Sequence, residues 1–148
     1  MATHGPLVRK GEVVHQPRGA SRGLIAIDTS SLRRFLAGES EPDVELAREA
    51  ITQARAVLPP VVVSEILSDP AISPELIEDI AGLPILEVFD GYWYRAGLLR
   101  SGLIKKGYKS KLADVLIAQS CIDQQLPLVT HDRDFRHFTT AGLRPLPK

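Results

Sequence analysis

The sequence predicts an α/β fold built on a mostly parallel sheet. Two patterns carry that expectation: short apolar runs of strand length at residues 24–27, 61–63, 85–89 and 128–130, and longer helical periods between them. Connections of that length join parallel neighbours by right-handed crossovers, whereas hairpins need only a few residues. Size agrees, because 148 residues of which 44% are hydrophobic can bury a self-sufficient core. No internal repeat interrupts the alternation, and one domain is expected over residues 23–148.

Residues 1–22 mix Gly, Pro, His and Arg without a sustained apolar period, and read as a flexible arm or a leader foreign to the native protein. Residues 24–27 form a continuous apolar run, as expected of a strand covered on both faces, and Asp28 follows directly. Ser30 or Ser31 is expected to cap a helix through Ala37, ended by Gly38. A longer helix is expected over residues 42–58, with Leu46, Ala47, Ala50, Ile51, Ala54 and Val57 on one face and Pro59-Pro60 as its stop. Val61-Val62-Val63 reads as a β-branched strand, and Ser64 as the cap of a helical turn that carries Glu65. Ser73-Pro74-Glu75 has the form of a helix start, a capping residue followed by proline in the first turn, and that helix stops near Gly82. Residues 85–89 read as a strand and 92–106 as a helix ended by Gly107. Residues 111–125 read as a buried helix, apolar on most sides apart from Asp114. A strand at 128–130, a helical turn at 133–138 and an edge strand at 143–146, where proline is tolerated, complete the chain.

Eighteen Lys and Arg balance eighteen Asp and Glu, so bulk charge marks no polyanion binder and position matters more than totals. The single cysteine, Cys121, excludes an intramolecular disulfide framework and suits a reducing cytosol; within a buried helix it reads as a small core residue. Apolar runs are too short to span a bilayer and no secretory pattern opens the chain, so a cytoplasmic protein without membrane contact is expected. Between Asp90 and Asp114 there is no acid, while Arg95, Arg100, Lys105, Lys106, Lys109 and Lys111 supply six bases. That run is either a solvated helix face or a phosphate-steering surface. Tyr92, Trp93, Tyr94 and Tyr108 are available there for base stacking, although core packing is the simpler role for the aromatic cluster.

Functional crevices of open parallel sheets lie beyond the carboxyl ends of the strands. Three apolar runs deliver acids there: Asp28 one residue after Ile27, Glu65 two after Val63, and Asp132 three after Val129, with Asp134 close behind. Asp114 is a fourth acid, in a stretch where an unpaired carboxylate is costly. Singly, each has an ordinary structural role as a helix cap, a dipole complement, a partner of Lys111 or a turn residue. Together they suggest one acidic cluster, whose mutual repulsion demands a compensating cation. Mg²⁺ or Mn²⁺ answers that demand with oxygen ligands, and can turn a bound water into a nucleophile against a phosphodiester.

Four segments carry a resemblance to a known family: LIAIDTS at 24–30, VVVSEIL at 61–67, ADVLIA at 113–118 and LVTHDRDF at 128–135. They look like the four motifs of PIN-domain ribonucleases, and within them of VapC-type toxins of toxin–antitoxin pairs. The resemblance implies a three-layer α/β/α sandwich and a Mg²⁺- or Mn²⁺-dependent endoribonuclease. Asp28, Glu65 and Asp114 fall on the three most constant acids, Asp132 on the more variable fourth, and Asp134 on a position that assists it. Ser30 and Thr130 resemble the small hydroxyl residues that orient the carboxylates or a metal-bound water. Asp28, Glu65 and Asp114 would anchor one metal, with Asp132 helping or completing a second site. An RNA substrate, a cognate antitoxin of the VapB or a similar kind, and a homodimer are further implications. RNA contacts are expected from Arg100, Lys105, Lys106, Lys109 and Lys111.

Other classes fit less well. A haloacid-dehalogenase-type phosphatase needs a second acid two residues after the first, where this chain has Ser30. A receiver domain wants adjacent acids after the first strand and a lysine after a late one, and neither is visible. The remaining rival is a catalytically inactive PIN-like module that binds RNA or a protein, against which an intact acidic quartet argues. His131 neighbours Asp132 but reads as a surface residue.

Overall fold

The computed structural model describes residues 13–14 and 23–148. Of the segment read as an arm, Val13–Val14 form strand β1; the rest of 1–22 lies outside the described residues. Strands β2 (Ile25–Ile27), β3 (Ala56–Val57), β4 (Ile85–Leu86), β5 (Pro127–Val129) and β6 (Arg144–Leu146) alternate with helices α1 (Thr29–Leu36), α2 (Pro42–Thr52), α3 (Pro60–Leu67), α4 (Pro74–Ala81), α5 (Tyr92–Lys105) and α6 (Leu112–Gln124). A 3-10 segment, Arg133–Ala141, sits between β5 and β6.

The central sheet runs β3-β2-β5-β6 with every neighbour parallel. Beyond β3 the chain continues the sheet through Leu58, whose N–H donates to Pro84 O and whose carbonyl accepts from Leu86 N, both at 2.9 Å. That joins β4, which in turn pairs in parallel with β1. Helices flank the sheet, α1 against α2 and α5 against α6, and the predicted parallel α/β sandwich is the observed one. Ala26, Ile27, Leu128 and Val129 are inaccessible to solvent at its centre, which is why the two strands read as unbroken apolar runs. Because β3 and β5 lie on opposite sides of β2, the strand order reverses between β2 and β5. A crevice opens at such a point, outside the carboxyl ends of the two strands.

Three local expectations are corrected. The helix expected over 42–58 ends at Thr52, and Ala54 takes a left-handed conformation (φ 56°) that turns the chain into β3. No glycine marks that turn, and the two-residue strand after it is too short to break a helical period. Val61-Val62-Val63 is helical, not extended: Pro60 opens α3, so Pro59-Pro60 begins a helix where it was expected to end one. Packing of buried Val62 and Ile66 overrides the β preference of the run. Finally, α1 is capped by Asp28 rather than by Ser30 or Ser31, because the Asp28 carboxylate accepts the Ser31 N–H at 2.9 Å.

Candidate active site

Asp28 ends β2 and caps α1, and that double position fixes its side chain. Oδ1 accepts from Ser31 N at 2.9 Å and Ser30 Oγ at 3.0 Å, and Oδ2 accepts from Thr130 Oγ1 at 2.5 Å. Only 2% of the residue is exposed. Burial pushes its carboxyl above the usual range, against the pull of the Thr130, Ser31 and Ser30 hydrogen bonds. Thr130, at the end of β5, also accepts Asp132 N at 3.0 Å, so one hydroxyl ties the first acid to the fourth. Asp132 caps the 3-10 segment by accepting Asp134 N at 2.8 Å, and Asp134 itself is exposed.

Glu65 does not follow a strand; it sits in α3 and reaches the crevice from a helix. Thr29 Oγ1, next to Asp28, donates to Glu65 Oε1 at 2.5 Å and holds it there. Asp114 lies in the first turn of α6 and is partly buried. Its carboxyl is pushed up to about 6, by burial first, then by the charge of Asp132, with Glu65 and Asp28 adding to the repulsion and Lys111 opposing it. Asp28, Glu65 and Asp132 therefore all act electrostatically on Asp114. Among the described residues no three His, Cys, Asp or Glu side chains yet stand close enough to hold an ion. The donor set of carboxylates and hydroxyls suits a hard divalent cation in charge and chemistry. Its side chains would have to draw together onto one.

Two participants escaped the sequence reading. Thr29 belongs to the hydroxyl run Thr29-Ser30-Ser31 directly after Asp28, a signal that was present. Asp43 had none, since an acid in the first turn of α2 reads as a complement to the helix dipole. It is 2% exposed, accepts Ser31 Oγ at 2.7 Å and lies 3.3 Å from Arg34 Nη2 and 3.8 Å from His131 Nδ1. Burial acts to raise its carboxyl, but the Ser31 hydroxyl, Arg34 and His131 together hold it below the ordinary value. Asp43 thus braces the second residue that donates to Asp28.

The basic run divides. Arg95 pairs with Asp123 at 2.6 Å, and Arg100 Nε donates to Ser110 O at 2.9 Å, so both hold structure together. Lys105, Lys106, Lys109 and Lys111 are exposed. Tyr92 is a core residue whose hydroxyl donates to Leu116 O at 2.6 Å, as expected of the aromatic cluster. Trp93 and Tyr94 depart from that expectation, at 64% and 82% exposed. Tyr108 stacks on His137 with ring centroids 4.1 Å apart. Burial pushes the Cys121 thiol far up, so it is an inert core group.

An all-parallel α/β/α domain with interacting carboxylates at its topological switch point defines the class. Residues 25–140 match the PIN domain family, and the chain belongs to it. Among solved structures it is similar to chains of the VapBC2 complex of Rickettsia felis bound to a promoter DNA fragment, at 18% identity and TM-score 0.65 over 82% of this chain and 96% of that one. It is likewise similar to VapBC-5 of Mycobacterium tuberculosis, a toxin–antitoxin system (22%, TM-score 0.62, 85% and 99%), and to FitAcB of Neisseria gonorrhoeae (16%, TM-score 0.62, 84% and 97%). Among curated proteins none matches it in sequence. No helix among the described residues is long and apolar enough to cross a membrane.

Proposed function

We propose that the chain is a Mg²⁺- or Mn²⁺-dependent endoribonuclease and the toxin of a toxin–antitoxin pair. One observation carries the reading: carboxylates from the end of β2, α3, α6 and the turn after β5 face one crevice, where burial first and then the charges of Asp132, Glu65 and Asp28 push the Asp114 carboxyl up to about 6. Such repulsion in a crevice is relieved by a divalent cation, which when bound would activate water and stabilise the leaving oxygen of a phosphodiester. Asp28, Glu65 and Asp114 would hold it, with Asp132 assisting. Ser30 and Thr130 keep the Asp28 oxygens oriented, Thr29 keeps Glu65 in place, and Asp134 anchors Asp132 through its backbone N–H. In-line attack by water rather than the ribose hydroxyl leaves a 5′-phosphate and a 3′-hydroxyl. The exposed Lys105, Lys106, Lys109 and Lys111 would steer the polyanion, with Arg100 shaping their loop.

A cytoplasmic antitoxin of the kind seen in the similar VapBC complexes is the proposed inhibitor. Exposed Trp93, Tyr94 and Leu98 on α5 support a homodimer that covers them. The competing reading, a PIN-like module that only binds RNA or protein, draws on the absence of a preformed ligand triad among the described residues. Cleavage of end-labelled RNA separates the two. We expect 5′-phosphate products with Mg²⁺ or Mn²⁺, none with EDTA, and none from Asp28→Asn or Asp114→Asn. Cutting that survives chelation and both substitutions overturns the assignment, and binding without cutting under any metal supports the module.

A further inference from the structure

A cavity of about 470 Å³ adjoins the acids, a volume within the range of small-ligand pockets. Thr130 and Asp132 form the wall it shares with the acidic site, and Arg133 and Arg136 line it beyond. Those two arginines align because their segment is a 3-10 helix, in which three residues per turn place positions i and i+3 one above the other. The other acids facing the cavity are already engaged: Arg34 stands 3.5 Å from Glu41 and 3.3 Å from Asp43. Among the described residues Arg133 and Arg136 have no ion-pair partner. No Phe, Tyr or Trp lines the space; His131 and Lys148 line it as well, and Pro145 and Pro147 add a wall without N–H donors. Two guanidiniums without an ion-pair partner among the described residues, with Lys148 on the same lining, therefore give the space a cationic recognition chemistry.

We propose that this cavity is a phosphate subsite for RNA, in which Arg133 and Arg136 grip a phosphodiester flanking the one held at the carboxylates. Planar guanidinium forks match phosphate oxygens bidentately. The inference rests on the nuclease reading and extends it, since the acids then lie between two basic flanks, Lys111 beside Asp114 and Arg133 beside Asp132.

The test is steady-state cleavage of a single-stranded RNA by wild type and by the Arg133→Gln, Arg136→Gln double variant over a range of salt, beside anisotropy titrations of the same RNA with Ca²⁺. The double variant should raise KM about 10–100-fold with kcat within about threefold, and flatten the salt dependence of kcat/KM by about 0.7 in log–log slope, the value for one phosphate neutralised on a single strand. Arg→Lys at both positions should recover part of the affinity. Unchanged KM and salt slope, or a fall in kcat alone, would overturn the subsite. A wild type that binds RNA through these arginines yet never cuts would instead overturn the nuclease reading and leave the subsite standing.

Discussion

Asp28 reaches the acidic pocket with both oxygens already occupied, whereas Asp114, among the described residues, has neither a hydrogen-bond donor nor an ion pair. Burial is the first cause that lifts both carboxyls above their ordinary pKa, but the rest differs: Asp28 is compensated by hydroxyls and a backbone N–H, and Asp114 is further repelled by neighbouring carboxylates. The first is held by the fold and helps to hold it, as the cap of α1 and the link from β2 to β5. The second is tolerated by the fold. A pocket that needs clustered negative charge can thus bind one acid into the structure and leave another at a cost to stability.

Truncating each acid gives the largest contrast. Asp28→Ala removes an N-cap and leaves the buried Thr130 hydroxyl without its acceptor, which together should cost about 2–4 kcal/mol. At about 2–4 °C per kcal/mol for a chain of this size, Tm should fall by roughly 5–15 °C. Asp114→Ala should leave Tm unchanged or raise it near neutral pH. Cleavage should drop in both by roughly 10²–10⁴-fold, the scale of losing a group that acts on the reacting atoms. Equal destabilisation by the two substitutions, read by calorimetry, would erase the distinction between them.

The same contrast governs what the sequence made legible. The parallel α/β class, β2, β5, α4 and α6 followed from apolar runs and caps, because long periods and burial on both faces leave a strong pattern. The helical character of residues 61–67 did not, since three consecutive valines favour a strand locally and only packing on Val62 and Ile66 decides otherwise. Glu65 was singled out from a wrong local premise, as a residue after a strand, and its resemblance to a family motif carried it. Asp28 was visible as a strand-end acid with a possible capping role, and it has that role. Its supporting contacts span 102 residues in the case of Thr130, a separation no local pattern encodes. Asp43 stayed hidden for the same reason, being defined by tertiary partners alone.

Thr130 offers a finer probe, since its hydroxyl donates to Asp28 and accepts from Asp132 N. Thr130→Val keeps the shape and removes both bonds. The expected loss is about 10–100-fold in cleavage or metal affinity, the usual effect of removing a group that orients a ligand, with about 1–2 kcal/mol of stability. Thr130→Ser should restore most of both. A Val variant as active as wild type would mean that Asp28 is placed by α1 alone, and the tie between the first and fourth acids has no functional weight.

The smallest effect reads the burial and the repulsion that act on Asp114 together. Asp114 has a folded pKa of about 6 against 3.8 in its ordinary state, so the folded chain binds the extra proton. Below about pH 4 both states are protonated and nothing is lost; as pH rises toward 6 the unfolded chain ionises first and stability falls; above 6 the full penalty persists. The shift alone corresponds to about 3 kcal/mol, and partial exposure of Asp114 reduces that to about 1–2 kcal/mol. Asp28, also raised, adds a slope of the same sign that survives in an Asp114→Asn variant. Between pH 4 and 7 the wild type should therefore lose about 2–6 °C of Tm more than Asp114→Asn does. A divalent cation bound among the carboxylates favours their ionised form, so saturating Mg²⁺ should shrink that difference in the wild type and change the variant little. Parallel pH profiles for the two proteins in EDTA would mean that neither burial nor the neighbouring carboxylates raise Asp114, and with that the physical reason for a cation in the pocket would be gone.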